Sequence, residues 1–161
     1  MSMYRVGLIS DTHGLLRPEA KAFLRGCDYI VHGGDIGSPD ILDELGAIAP
    51  VTAVRGNNDA DAWAVRVPET QFLQVGEVGI YVLHDLAQLD RDTAVAARVI
   101  VSGHSHKPSV KENDGNPGSA GRRRFKLPIA LGELTITDAS VAVRIMELED
   151  GKFSPHTTVR I

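Results

Sequence analysis

The sequence predicts an α/β domain in which two sheets pack on each other with helices outside. Three observations predict it. Roughly the first sixty residues alternate apolar runs with amphipathic stretches, in the order strand, helix, strand, helix, strand. Each of those strands ends in glycine or small residues beside acids or amides. Beyond about residue 70 the pattern changes to successive strand-like runs separated by turn signals, which predicts antiparallel pairing.

The elements follow in order. Tyr4 to Ser10 reads as a strand with Val6, Leu8 and Ile9 as its apolar set. Pro18 to Arg25 reads as a helix with proline in its first turn. "YIVHGGDIG" is a short apolar run closed by glycines and an acid. Ser38, Pro39 and Asp40 open a second helix carrying Ile41, Leu42, Leu45 and Ile48. "VTAVRGNND" repeats the strand-then-glycine pattern, and "TQFLQVGEVGIYVLH" places two strands around a turn at 76–79. Gln88 to Arg98 is expected to be a short helix, and "VIVSG" a buried strand. The runs "KPSVKE", "IALGELTI", "ASVAVRIMEL" and "SPHTTVRI" complete the strands, with turns at Asp114–Gly115 and Asp150–Gly151. With no repeat and no low-complexity linker, residues 1–161 read as a single domain.

Composition narrows the function classes. The chain has 161 residues and a net charge of -4, with no long basic run. That disfavours a nucleic-acid coating surface but not a small phosphate-bearing ligand. Arg122, Arg123 and Arg124 form the one tight basic cluster and read as a solvated loop. Cys27 is the only cysteine. An internal disulfide is therefore impossible, a reducing cytoplasm is the expected compartment, and any metal site must use His, Asp, Glu or Asn. Cys27 itself is expected to be a small buried hydrophobe. The stretch "MSMYRVGLIS" has no signal-peptide pattern, and no apolar run approaches a membrane span.

The strand ends collect the residues that carry chemistry. They bear Asp11-Thr12-His13, Gly33-Gly34-Asp35, Gly56-Asn57-Asn58-Asp59, His84-Asp85 and Gly103-His104-Ser105-His106. In parallel sheets ligands sit outside the carboxyl ends of the strands, so these groups point to one edge. An isolated His-x-His pair such as His104 and His106 is a surface turn more often than a metal site. However, four of the six histidines, His13, His84, His104 and His106, directly follow apolar runs. Imidazole and carboxylate donors suit zinc, manganese or iron, and an aspartate can supply the anion that two neighbouring cations need between them.

The order D-x-H, GD, GN, H, GHxH resembles the calcineurin-like metallophosphoesterase superfamily. The compact length, "GNND", and the "NPGS" at 116–119 resemble its small bacterial and archaeal phosphodiesterase branch. The resemblance spans about Tyr4 to Ser119 and implies a two-sheet α/β/β/α sandwich. It implies two divalent metal ions, with manganese ahead of iron, zinc or nickel. The first would take Asp11, His13, Asp35 and His106. The second would take Asp35, Asn57, His84 and His104, with Asp35 bridging. Asp35, Asn57 and His104 would carry catalysis, in which a metal-bridging hydroxide attacks the phosphorus of a small phosphodiester or phosphomonoester. The resemblance is also compatible with homo-oligomers. The alternative is a non-catalytic interaction scaffold of the same fold, like the retromer scaffold subunit.

Several positions depart from the family pattern or call for their own reading. Asp85 stands where the branch usually has glycine; it is expected to bind metal, orient His84, or face water. The segment between His84 and His104 is short for the family, which implies an open site, and the strand before NPGS is short too. Asn58 replaces a histidine found in many members and cannot be a strong general acid, so substrates with good leaving groups are expected. His32 reads as packed behind the ligands, His156 as exposed, and Asp59 as a hydrogen-bonding anchor for its loop. Trp63 and Arg66 either border the pocket or pack. Thr12 and Asn116 are candidates for contact with the site loops.

Overall fold

The computed structural model describes residues 2–111, 114–123 and 126–161. Eleven strands form two sheets among these residues. β1 (Met3–Ile9), β2 (Tyr29–His32) and β3 (Val51–Ala53) are parallel and alternate with α1 (Pro18–Leu24) and α2 (Pro39–Gly46). β9 (Ala130–Thr137) pairs antiparallel with β1, and β10 (Ser140–Glu149) and β11 (Lys152–Arg160) extend the sheet, giving the order β11-β10-β9-β1-β2-β3. The second sheet runs β4-β5-β6-β8-β7, from β4 (Thr70–Val75), β5 (Val78–Leu83), β6 (Val99–Val101), β7 (Ser109–Lys111) and β8 (Asp114–Asn116). Within it β5, β6 and β8 are parallel.

Alternation along the strands builds the layers. Val6, Leu8 and Val31 face Ile80, Val82, Val99 and Val101 of the second sheet, and this apolar seam joins the two sheets. Ile9 and Ile30 point the other way, onto Ala20 and Leu24 of α1 and Ile41 and Leu45 of α2. Cys27 is buried in that helix-facing layer, and burial raises its thiol pKa. Both helices begin at proline, and the Ser38 hydroxyl caps α2 by accepting from Asp40 N at 3.3 Å. Tyr81, Leu83 and Ile100 cover the outer face of the second sheet together with Leu86, Leu89 and Ala94.

That last layer corrects an expectation. Residues 88–98 are not a helix: a 3-10 turn at Leu86–Gln88 gives way to further turns. Asp90 accepts from Asp92 N and from the Thr93 hydroxyl, both at 3.0 Å. Such local side-chain bonds compete with the helical ladder. A second correction concerns Asp114–Gly115, which is not a turn but the start of β8, paired with Ile100 and Val101. Residues 112 and 113, between β7 and β8, lie outside the described residues. The hairpin turn is tighter than expected, since Val78 already pairs with Val75. Arg122 and Arg123 are exposed, as a solvated loop requires, and Arg124 lies outside the described residues. No helix among the described residues is long and apolar enough to cross a membrane.

Candidate metal centre

The loops that leave β1, β2, β3, β5 and β6 meet at one edge of the sandwich. Backbone hydrogen bonds continue the sheet beyond the strands there: Asp11 N to Gly34 O, His13 N to Asp35 O and Gly103 N to His84 O, each 2.9 Å. The chain turns sharply at this edge. Asp11, His13, Asp35, His104 and His106 all have left-handed backbone, with φ between 47° and 71°. Such a conformation costs on the order of 1 kcal/mol for a residue other than glycine. The other non-glycine residues with positive φ among those described, Asp138 and Asp150, sit at hairpin corners. Backbone strain is therefore concentrated on the five residues whose side chains converge.

Two glycines make the convergence possible. A Cβ on Gly56 would lie 2.1 Å from Asp35 Oδ1, and one on Gly103 would lie 2.2 Å from Ser10 Oγ and 2.7 Å from Asp11 Oδ2. Only a bare backbone lets these loops approach so closely.

The first cluster comprises Asp11, His13, Asp35 and His106, with one donor atom of each lying within 4.8 Å of all the others. His13 Nε2 and His106 Nε2 face each other at 3.2 Å, and Asp11 Oδ1 lies 3.3 Å from His106 Nε2. Asp11 Oδ2 is held by the Ser10 hydroxyl at 2.7 Å and by His104 N at 3.2 Å. Asp11 Oδ1 is buried without a hydrogen-bond donor, as is His106 Nδ1 without a partner. A buried acceptor so oriented, beside two converging imidazole nitrogens, is the arrangement a cation would complete.

The second cluster gathers around Asn57. Its Oδ1 lies 2.9 Å from His84 Nε2 and 3.0 Å from His104 Nδ1. His84 Nδ1 donates to Gly33 O at 2.7 Å, which turns Nε2 and its lone pair toward the site. With His84 neutral, Nε2 and Asn57 Oδ1 present facing lone pairs that a cation between them would satisfy; with His84 protonated, Nε2 donates to Asn57 and toward Asp35 instead. Asp35 Oδ2 lies 3.4 Å from His84 Nε2 and 3.7 Å from His13 Nε2, so one carboxylate oxygen faces both clusters. Every residue expected in the ligand sets is thus brought to this edge.

Electrostatics agree with this placement. Burial raises the pKa of Asp35, but hydrogen bonds from His84 and Asn58 N and the nearby histidines outweigh it and hold it at about 2. For His84, burial opposes the charge. The bonds to Asp35 and Gly33 and the charges of Asp35 and Asp11 raise its pKa all the same. His32 is different: complete burial drives it down to about 4, so its ring is neutral. It bonds the Thr12 hydroxyl at 3.0 Å and accepts from Gly34 N at 3.1 Å, a packed position behind the ligand loops.

The supporting residues fall into place. Asp59 accepts from Ile36 N, Gly37 N and Gly56 N at 2.9–3.0 Å and so ties two ligand loops together. Thr12 donates to Ile36 O at 2.8 Å, and Asn116 donates to Gly103 O at 2.8 Å and to the Ser105 hydroxyl at 3.0 Å. Asn58 donates to both oxygens of Asp35, from N at 2.9 Å and Nδ2 at 3.1 Å. Asp85 does not orient His84, a task the Gly33 carbonyl performs; its Oδ1 caps the following 3-10 turn through Ala87 N at 3.0 Å. Trp63 packs against the helix-facing core, and His156 is exposed beside Glu147 at 3.3 Å. Sequence reading missed Ser10, Ser119, whose hydroxyl donates to Asp11 O at 3.0 Å, and Arg55. Only adjacency to Asp11 marks Ser10. Arg55 helps to line a cleft of about 300 Å³ beside the second cluster.

Comparison with known proteins follows the same line. The family profile of the calcineurin-like phosphoesterase superfamily domain matches residues 4–139. A probable metallophosphoesterase of Methanothermobacter thermautotrophicus is 36% identical over 132 aligned positions, covering 71% of this chain and 76% of that protein. In three dimensions the chain resembles vacuolar protein sorting 29 of Cryptosporidium parvum, with a TM-score of 0.84 at 22% identity over 99% of this chain and 98% of that one. It also resembles a phosphoesterase of Escherichia coli, with a TM-score of 0.69 at 21% identity over 96% and 98% of the two chains. At such identities the structural likeness shows the fold. The family match over most of the length, together with an archaeal relative above one-third identity, establishes that the chain belongs to the calcineurin-like phosphoesterase superfamily.

Proposed function

We propose that this chain is a phosphoesterase with a dinuclear metal centre, acting on small phosphodiesters ahead of phosphomonoesters. The observation that supports it best is Asp35 Oδ2, which faces His84 at 3.4 Å and His13 at 3.7 Å. Asp11, His13, Asp35 and His106 would hold one cation, and Asp35, Asn57, His84 and His104 the other. Manganese is the expected metal, with iron, zinc and nickel as the alternatives this nitrogen and oxygen donor set accepts. Bound there, the pair supplies Lewis-acid polarisation of a phosphoryl oxygen and activation of water.

The residues of the chain do the positioning. Asp35, ionised across any working pH, keeps a negative charge between the clusters. Asn58 clamps both of its oxygens. Asn57 and His104 are exposed at the cleft, where a phosphate would enter. Asn58 cannot donate a proton to a departing alkoxide, so the reaction is expected to favour good leaving groups. The lone buried thiol fits a reducing cytoplasm.

A generic aryl phosphodiester such as bis(p-nitrophenyl) phosphate, assayed with manganese, tests the proposal. Turnover in the wild type is expected to fall at least ~100-fold in Asp35→Asn and in His104→Ala, with circular dichroism showing that both still fold. Undiminished turnover in both would sink it. The competing reading, a non-catalytic scaffold on this fold, predicts no turnover of the diester by the metal-loaded wild type.

A further inference from the structure

The cleft beside the second cluster has charges that the ligand sets do not use. Arg55 and Glu69 line it as a pair, with Arg55 Nη2 to Glu69 Oε1 at 2.9 Å. The two carry opposite charges in a partly exposed pair. Asp85 and Gln88 also line the cleft, which Asn57, His84 and His104 join to the metal-ligating edge. Asp85 is half-buried, and its Oδ1 is fixed by Ala87 N at 3.0 Å. Among the described residues no lysine or arginine lies within ion-pair distance of it. With one cation, Arg55, against two carboxylates, Glu69 and Asp85, the cleft lining carries one net negative charge beside Asn57, His84 and His104.

We propose that Asp85 is a specificity-determining residue, which admits phosphate esters whose organic arm is cationic or neutral and rejects those whose arm is anionic. This rests on the phosphoesterase reading above. With cations held by the two clusters, the phosphate would dock there, while the arm beyond it would extend along the cleft and meet the Asp85 carboxylate. An ammonium on that arm gains an attraction, and a carboxylate or second phosphate meets a repulsion. The bond from Ala87 N orients the carboxylate at the cleft wall. Gln88 adds a neutral polar partner and no charge.

Three phosphomonoesters of similar size isolate the effect, because each has a single arm: phosphoethanolamine, ethyl phosphate and phosphoglycolate. Each is tested as a competitive inhibitor of bis(p-nitrophenyl) phosphate hydrolysis by the manganese-loaded protein. The wild type is expected to bind phosphoethanolamine tightest and phosphoglycolate weakest. Asp85→Asn keeps an oxygen for the Ala87 cap and removes the charge. In this variant the ratio of the two inhibition constants is expected to shrink about five-fold or more. A purely structural role for Asp85 would move all three constants together and leave the ratio alone. The same order and ratio in both proteins overturn the assignment while leaving the phosphoesterase reading intact. Absence of diester turnover in the wild type overturns that reading, and the assignment falls with it.

Discussion

At the scale of single residues, the site is a set of charges whose pKa values have been pushed apart, and stability should show it. His32 is buried and neutral, with a pKa lowered from 6.5 to about 4. The unfolded chain therefore takes up a proton near pH 6.5 that the folded chain refuses until about pH 4. Metal-free protein should lose stability as pH falls through that window, by up to about 3 kcal/mol. His84 has the opposite sign: its raised pKa gives stability that is complete below pH 6.5 and is lost as pH rises through the raised value. Asp35, held at about 2, keeps its contribution above about pH 4 and loses it only as pH falls toward 2. Urea midpoints in the presence of a chelator should then peak near pH 6.5, and His32→Gln should flatten the acid side of that peak. An acid side unchanged in His32→Gln would count against a buried neutral His32. Asn58 yields a second expectation. With no acid at that position, kcat/KM should fall steeply as the leaving-group pKa rises from aryl to alkyl phosphodiesters. A flat dependence would show that another group protonates the leaving oxygen.

At the scale of elements, strand ends were far more legible than what lies between them. Val6, Leu8, Val31, Val99 and Val101 alternate or run as buried strands must, and each strand ends where glycine and acid begin. The short segment at 88–98 misled because its apolar spacing suits a helix, whereas Asp90 and Thr93 satisfy the backbone locally. β8 was hidden because Asp-Gly is a turn signal in isolation, and it is pairing with β6 on one side and β7 on the other that makes it a strand. The residues that converge at this edge could be listed from sequence, but the left-handed backbone of Asp11, His13, Asp35, His104 and His106 could not, since φ is set by loop-to-loop bonds such as His13 N to Asp35 O. The glycines between loops offer the test at this scale. Gly56→Ala places a methyl against Asp35 at 2.1 Å from its Oδ1 and 2.2 Å from its backbone N, so something must move. It is expected to destabilise the fold by ~1–3 kcal/mol and to weaken metal binding with it. An unperturbed thermal midpoint and affinity would show that the loops have slack they do not display.

At the scale of the whole molecule, two sheets are joined by one apolar seam, and the site lies across the edge where both end. Asp11, His13, Asp35 and Asn57 come from the first sheet's loops; His84, His104 and His106 come from the second's. Neither sheet alone carries a whole cluster, so each cluster draws on both halves of the fold. Cation binding should therefore clamp the sandwich and raise its thermal midpoint, an effect that chelation reverses. The central claim is that two clusters share Asp35, and metal stoichiometry reaches it most directly. Manganese titrated into chelator-treated protein by calorimetry should bind at two sites per chain in the wild type. His104→Ala should keep the Asp11, His13, Asp35 and His106 site and lose the other, whereas Asp35→Asn should weaken both. A wild-type chain that binds a single ion or none, or an Asp35→Asn variant that still binds both with unchanged affinity, would contradict a shared dinuclear centre.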